Sequence, residues 1–222
     1  MAINRDINDQ YLDAMGIQIY RVKEAVQVHS DALVESSLET MDIQALSKTV
    51  EACVQCELAN ITSQKSFGLG NVSAKWFFLS DKPAEKRSPN SPFFSVESNQ
   101  LLEDVLFSVN EKIQSTYTTT AIKCSQNERP PTSAEYACCN AYLARQIAIV
   151  QPSVIVILGE KAAQQLLAQS LPIEQLRGKI HTGKIFNAPV VVTYHPEQLL
   201  NTPSLKRAVW EDIQLAKAQV LN

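Results

Sequence analysis

The stretch Thr116–Gly159 decides the fold; it reads TYTTTAIKC (116–124), SQNERPPTSAEYACC (125–139), a helical run, and PSVIVILG (152–159). Tyr117–Ile122 is rich in β-branched and aromatic residues, which predicts a strand. Thr132 is followed three residues later by Glu135, the pattern of a capping box, so a helix is predicted to begin there.

The second half of this stretch predicts another strand. Pro152 ends the helix, and Val154–Leu158 is a continuous apolar run typical of a strand that is buried on both faces. Strand, helix and strand in this order predict a βαβ unit and therefore a parallel sheet. Function in such sheets lies at the carboxyl ends of the strands, where Cys124 is predicted to lie.

Two further apolar runs extend the sheet in both directions along the chain. Trp76–Leu79 predicts the opening strand, and Pro189–Tyr194 predicts a fourth strand. Helices are expected from about Asn99, over Glu160–Ala168, and after Thr202. The fold class is therefore α/β, with a four-stranded parallel sheet between two layers of helices.

Composition limits the classes of protein that fit. The chain has 222 residues, 45% of them hydrophobic, which is enough for one full core with an appendage. A net charge of −3 gives no overall attraction to nucleic acid. The opening MAINRDINDQ has no apolar signal region, and no apolar run could span a bilayer. These features predict a cytoplasmic protein with no membrane contact.

The first 45 residues are predicted to be a tail and linker, and residues 46–222 the α/β domain. The tail carries a compact apolar set and then turns polar after Val28. An apolar patch beyond a polar linker is typical of a docking peptide, although the same patch would equally suit packing on its own domain. The candidate partner-binding residues are Tyr11, Leu12, Met15, Gly16, Ile17, Tyr20 and Arg21.

Four of the five cysteines form two distant pairs. Cys53 and Cys56 make a C-x-x-C, which is compatible with a redox pair, half of a zinc site or coincidence. Cys124 and Cys139 form the second pair, and four thiolates from two such pairs suit zinc or an iron–sulfur cluster. Cys138 is left over, because it points about 100° away from Cys139 on the predicted helix. The alternative is five unrelated buried thiols.

From about Cys53 to Gln219 the chain resembles the family 4 uracil-DNA glycosylases, the iron–sulfur branch of that superfamily. The matching positions include a C-x-x-C-x-L, a strand that ends in lysine and cysteine, an arginine-proline-threonine-glutamate run leading to a cysteine, and a His-Pro loop. They are Cys53, Cys56, Leu58, Lys123, Cys124, Arg129, Thr132, Glu135, Cys139, Leu158, Gly159, Arg177, Gly178, Tyr194, His195, Pro196, Leu199, Leu200, Lys206, Trp210, Glu211 and Asp212.

The resemblance implies the three-layer glycosylase fold and a 4Fe–4S cluster on Cys53, Cys56, Cys124 and Cys139, with zinc as the alternative metal. The catalytic positions are less well matched. The family's Gly-Glu-Ala-Pro-Gly loop reads Ser-Asp-Lys-Pro-Ala at 80–84, so Asp81 keeps only a shorter carboxylate. Thr120 stands where the family has the asparagine that reads uracil, and a threonine cannot supply an amide's paired donor and acceptor. Asn201 stands where the family has an arginine.

These departures lead to the hypothesis of a vestigial site at Asp81, Thr120, His195 and Phe93, without catalysis. Phe93 remains able to stack and His195 to hydrogen-bond; the alternatives are that Phe93 is core and His195 caps a turn. Lys82, Lys86 and Arg87 would let such a relic grip DNA phosphates, although a charged loop is more often simply solvated.

The segment Tyr11–Arg21 resembles the start of the psi subunit of the bacterial DNA polymerase III clamp-loader complex, and a series near the C-terminus resembles it too (Pro203, Arg207, Ala208 and Trp210). This resemblance implies a non-enzymatic replication subunit. It would bind the clamp-loader gamma/tau subunit through the tail, the chi subunit, and indirectly single-stranded DNA-binding protein and DNA. The alternative is an active, divergent uracil-DNA glycosylase that uses Asp81 and His195.

Overall fold

A computed structural model describes residues 38–61, 64–84, 93–124, 129–183 and 185–221. The candidate partner-binding residues of the tail lie outside these ranges. Leu38–Asn222 forms one compact unit, and its first helix, α1 (Ile43–Glu51), runs across the predicted domain boundary between residues 45 and 46. No helix in the described ranges is long and apolar enough to cross a membrane.

A six-stranded sheet forms the centre of the domain, in the order β1-β3-β2-β4-β6-β5. The strands are β1 (Leu69–Gly70), β2 (Trp76–Ser80), β3 (Tyr117–Thr120), β4 (Val154–Leu158), β5 (Ile180–His181) and β6 (Val190–Thr193). The four inner strands are parallel, which confirms the predicted sheet. The prediction missed the short antiparallel strands β1 and β5 at the two edges.

Helices cover the sheet in the three-layer arrangement that the sequence predicts. After α1 they are α2 (Glu57–Ile61), α3 (Val96–Phe107), α4 (Ser133–Val150), α5 (Glu160–Leu167), α6 (Ile173–Leu176), α7 (Pro196–Asn201) and α8 (Lys206–Leu221). Short 3-10 turns lie at Ile113–Ser115 and Pro203–Leu205. All residues of the four inner strands are buried, because helices cover both of their faces.

The predicted capping box at the start of α4 is present. The Thr132 side chain accepts a hydrogen bond from the Glu135 backbone N–H, and the Glu135 carboxylate accepts one from the Thr132 backbone N–H. Arg129 adds two hydrogen bonds to the same carboxylate, at 2.9 and 2.7 Å. Two extra donors hold Glu135 in its ionised form and lower the pKa of this carboxyl to about 2. The first turn of α4 is therefore fixed in place.

A buried ion pair fastens the last helix to the sheet. Asp212 of α8 is fully buried, and its carboxylate accepts hydrogen bonds from Arg177 Nε at 3.0 Å and from Thr193 Oγ1 at 2.8 Å. Gly178, at a φ of 73°, donates its backbone N–H to the other carboxylate oxygen at 3.0 Å. The Arg-Gly pair and the aspartate noted in the sequence thus form one structural connection.

Candidate active site and thiol cavity

A cleft of about 510 Å³ opens at the carboxyl end of β2, next to His195, which lies two residues after the end of β6. Its walls combine two carboxylates, an amine, an imidazole, two phenyl rings and three serine hydroxyl groups. The lining residues are Ser80, Asp81, Lys82, Pro83, Ala84, Phe93, Phe94, Ser95, Ser98, His195 and Glu197. The cleft lies where a parallel α/β sheet is expected to carry its ligand site.

Asp81 is held in this cleft through both its backbone and its side chain. Its carbonyl oxygen accepts a hydrogen bond at 2.9 Å from the backbone N–H of Ile122, which follows β3. Its carboxylate accepts a hydrogen bond from the Tyr136 hydroxyl of α4. Burial raises the pKa of this carboxyl above its ordinary value, although Tyr136 and the nearby lysines favour the charged form.

His195 lies next to the carboxyl end of β2 in the cleft, and it also caps α7. Its Nδ1 accepts a hydrogen bond from the Glu197 backbone N–H at 3.3 Å, so the proton of the neutral ring lies on Nε2. Nε2 lies 3.4 Å from Ser80 Oγ. Burial lowers the pKa of His195 to about 4, so the ring is neutral at pH 7 and presents a single N–H donor on the cleft side.

Two aromatic rings close the apolar side of the cleft. Phe93 is 1% exposed and belongs to the hydrophobic core as well as to the cleft wall. Phe94 packs against the His195 ring with a centroid distance of 5.6 Å and an interplanar angle of 45°. Two almost fully buried phenyl rings thus back the part of the cleft that also carries the His195 ring and the Asp81 carboxylate.

The fourth position of the predicted vestigial site does not join this cleft. Thr120 is fully buried at the end of β3 and is not among the residues that line the cleft. Its Oγ1 has no hydrogen-bond partner within the described residues, whereas its carbonyl oxygen accepts a hydrogen bond from Lys123 at 2.7 Å. Asn201, at the end of α7, is exposed.

The four predicted metal-ligating cysteines come together around a second, small cavity. Two of them lie in the link between α1 and α2, one follows β3 and one is on α4; in this order they are Cys53, Cys56, Cys124 and Cys139, and all four line the cavity. Burial and the neighbouring thiols raise the pKa of Cys124 to about 12 and that of Cys139 to about 11. The donor set is thus all-sulfur, and the thiols of Cys124 and Cys139 stay protonated unless a cation replaces the protons.

Other polar groups brace this thiol cavity. Lys65 donates hydrogen bonds to the carbonyl oxygens of Glu51, at 3.2 Å, and Cys53. Arg129 joins Glu57 of α2 to Glu135 of α4. Cys138, set aside in the sequence analysis, also lines the cavity. No group of three or more His, Cys, Asp or Glu side chains within the described residues has the geometry to hold a metal ion.

The comparisons with known proteins agree with this fold. Residues 67–214 match the uracil DNA glycosylase superfamily, to which the chain therefore belongs. Over 184 residues the chain is 31% identical to a type-4 uracil-DNA glycosylase of Thermotoga maritima, an alignment that covers 81% of this chain and 94% of that protein. It is 27% identical over 184 residues to the type-4 uracil-DNA glycosylase of Archaeoglobus fulgidus, covering 80% and 92% of the two chains.

These relatives correct the prediction of a non-enzymatic psi-like subunit. The proteins that the chain matches over about 80% of its length are named as glycosylases, so the hypothesis of a replication subunit without catalysis is wrong. The hypothesis gave too much weight to lost loop glycines and a lost asparagine. The fold nevertheless keeps a carboxylate and an imidazole on one cleft. Binding of the tail to the gamma/tau subunit stays a prediction, as does binding of the chain to the chi subunit.

Sequence reasoning missed several residues that shape the site. Tyr136, Phe94 and Ser80 contact the two central polar groups. Ser80 opens the Ser-Asp-Lys-Pro-Ala loop, but neither Tyr136 nor Phe94 belongs to a motif that marks it. Tyr136 follows the capping glutamate directly, so its place in the first turn of α4 was predictable. Its contact with Asp81, 55 residues away, was not.

Proposed function

We propose that the chain is a uracil-DNA glycosylase that hydrolyses the bond between uracil and deoxyribose in DNA. The observation that carries the proposal is the convergence of Asp81, Phe93 and His195 on one cleft at the carboxyl ends of the parallel strands. The likeness to named type-4 uracil-DNA glycosylases supports the same reaction. A cytoplasmic location is part of the proposal and rests on the sequence alone.

The geometry assigns a role to each group. A base that reacts outside the helix must be extruded and stacked, and Phe93 offers an apolar wall for it. As the glycosidic bond breaks, negative charge moves onto the uracil ring while the sugar becomes cationic. The Nε2–H of neutral His195 stabilises a carbonyl oxygen of the departing base, and the Asp81 carboxylate stabilises the sugar and orients the water that adds to it.

In this proposal, Lys82 and the hydroxyl groups of the cleft supply the substrate contacts at positions where the chain departs from the family's sequence pattern. Lys82 lines the cleft beside Asp81 and supplies a positive charge for a nearby phosphate. Ser95 and Ser98 also line the cleft. Since Thr120 lies outside the lining, recognition of the base in this proposal depends on the hydroxyl groups, the backbone and His195.

The thiol cavity would hold a 4Fe–4S cluster through Cys53, Cys56, Cys124 and Cys139. The chemistry of the all-sulfur donor set around one cavity supports such a group, because thiolates are the usual cluster ligands. When bound, the cluster would serve as a covalent cross-link between the segment before β2, the end of β3 and α4. The four cysteines leave no ligand position for substrate, so the chemistry stays in the cleft.

The test of the function is release of free uracil from single-stranded DNA that carries one uracil. The purified full chain is expected to release uracil and leave an abasic site that alkali cleaves. The same strand with thymine in place of uracil is the control. Absence of uracil release above the buffer rate, with folded protein in molar excess over DNA, would contradict the proposal.

The excision rate is expected to fall in acid, along a limb set by Asp81. Only the ionised carboxylate can stabilise a cationic sugar, so activity is present above the Asp81 pKa and lost as pH falls through it. Because burial raises that pKa above 3.8, the limb should lie at higher pH than for an exposed aspartate. Single-turnover rates measured across the acid range check this; a rate independent of pH down to the ordinary aspartate range would contradict it.

A further inference from the structure

Tyr136 binds the Asp81 carboxylate from outside the cleft. Its hydroxyl donates a hydrogen bond to Asp81 Oδ1, and its ring is 5% exposed. It is not among the residues that line the cleft, so it reaches Asp81 from behind. A buried phenol in this position contacts the reacting groups only through the carboxylate.

The turn of helix that carries Tyr136 is unusually well fixed for a helix terminus. Thr132 and Glu135 cap it reciprocally, at 3.3 and 2.8 Å, and Arg129 grips the Glu135 carboxylate with two nitrogens. Arg129 Nη2 also bonds Glu57 of α2 at 3.0 Å. The phenol is therefore presented from a turn with little freedom to move.

Both segments that hold Asp81 lead directly to the thiol cavity. Cys139 follows Tyr136 by three residues on α4, a spacing that places neighbours on one side of a helix. Ile122, which binds the Asp81 carbonyl oxygen, precedes Cys124 by two residues. The backbone and the carboxylate of Asp81 are thus anchored on two segments that each contribute a thiol to the cavity.

We propose that Tyr136 is a positioning residue, which fixes the Asp81 carboxylate in the cleft from the same helical turns that carry Cys139 to the thiol cavity. The proposal rests on the glycosylase function proposed above, for which Asp81 is the reacting carboxylate. It assigns to α4 the task of connecting the thiol cavity with the cleft.

The hydrogen bond also has an electrostatic consequence. The groups that face Asp81 are Tyr136 from α4, Lys161 from α5 and its own neighbour Lys82, while His195 and Glu197 line the same cleft. Burial raises the pKa of Asp81, whereas the Tyr136 hydroxyl and the two lysines oppose that shift. Removing the hydroxyl is therefore expected to raise the Asp81 pKa further and to move the acid limb of the excision rate to higher pH.

The test is Tyr136→Phe, which removes the hydroxyl and keeps the ring. At neutral pH we expect kcat to fall roughly tenfold with KM within about twofold of the original, because the loss of one hydrogen bond to a charged group affects the reacting carboxylate rather than DNA binding. The matched control is Tyr117→Phe on β3. It loses a buried hydroxyl that accepts a hydrogen bond from Gln146 at 3.0 Å, without contact to Asp81. The control should lose stability but keep the acid limb in place.

A second measurement tests the role of Tyr136 independently of whether the protein is a glycosylase. Titration of ¹³C-labelled aspartate carboxyl groups by NMR, with the Asp81 signal assigned by its loss in Asp81→Asn, gives the Asp81 pKa without any substrate. A higher pKa in Tyr136→Phe than in the original protein and in Tyr117→Phe supports the proposal, even if no uracil is released. An unchanged pKa, or a raised KM with unchanged kcat, would overturn it.

Discussion

Asp81→Asn is expected to lower the rate of uracil excision by on the order of 100-fold or more. Asparagine keeps the shape of the side chain, and its carbonyl oxygen can still accept the Tyr136 hydrogen bond. What disappears is the negative charge beside the sugar as it becomes cationic. Single-turnover rates on single-stranded uracil DNA at neutral pH measure the loss directly, because they exclude product release.

Asp104→Asn is the matched control for this substitution. Asp104 is an exposed aspartate of α3 that hydrogen-bonds Gln100 and does not line the cleft. Its amide should leave the excision rate within about twofold, since it makes no contact with the reacting groups. If Asp81→Asn retained half of the original rate with an unchanged melting temperature, the carboxylate would have no role in the reaction.

Most of the fold was predictable because the inner strands and their helices carry local signals. Val154–Leu158 is a continuous apolar run, and the capping-box pattern of Thr132 and Glu135 marks the first turn of α4. The edge strands carry no such signal. β1 and β5 have two residues each, too few for any periodicity, and they exist only because inner strands offer them hydrogen bonds.

The site was predictable at its motif residues and not at their contacts. Asp81, Phe93 and His195 could be named from a family pattern, and the cleft joins them. Whether the shorter carboxylate of Asp81 can act in catalysis depends on the hydrogen bonds that position this residue. They come from Tyr136 and Ile122, which are distant from Asp81 in the sequence. Counting substitutions in the loop therefore predicted an inactive relic, because the count could not include these supports.

Cys124→Ser is expected to remove the proposed iron–sulfur cluster and to destabilise the domain by several kcal/mol. Serine cannot supply a thiolate, and a group that binds only the folded chain contributes its binding free energy to folding. Cys124 is a sensitive position because it is 4% exposed and lies four residues after the end of β3. Anaerobically purified protein should contain about four irons and four sulfides per chain, with a broad visible absorption band, and the variant close to none.

Cys138→Ser is the control, since Cys138 lines the same cavity but is not assigned as a ligand. Its sulfur lies 3.8 Å from the carbonyl oxygen of Gln55, a contact that a serine hydroxyl can replace. The control should keep its iron, its absorption band and its melting temperature within a few degrees. Equal iron loss in both variants would show that Cys138 is also a ligand. One zinc per chain in the original protein would show that the cavity binds a single zinc ion and not a cluster. Neither result would change the assignment of Asp81 and His195 to the cleft, because these residues do not line the thiol cavity.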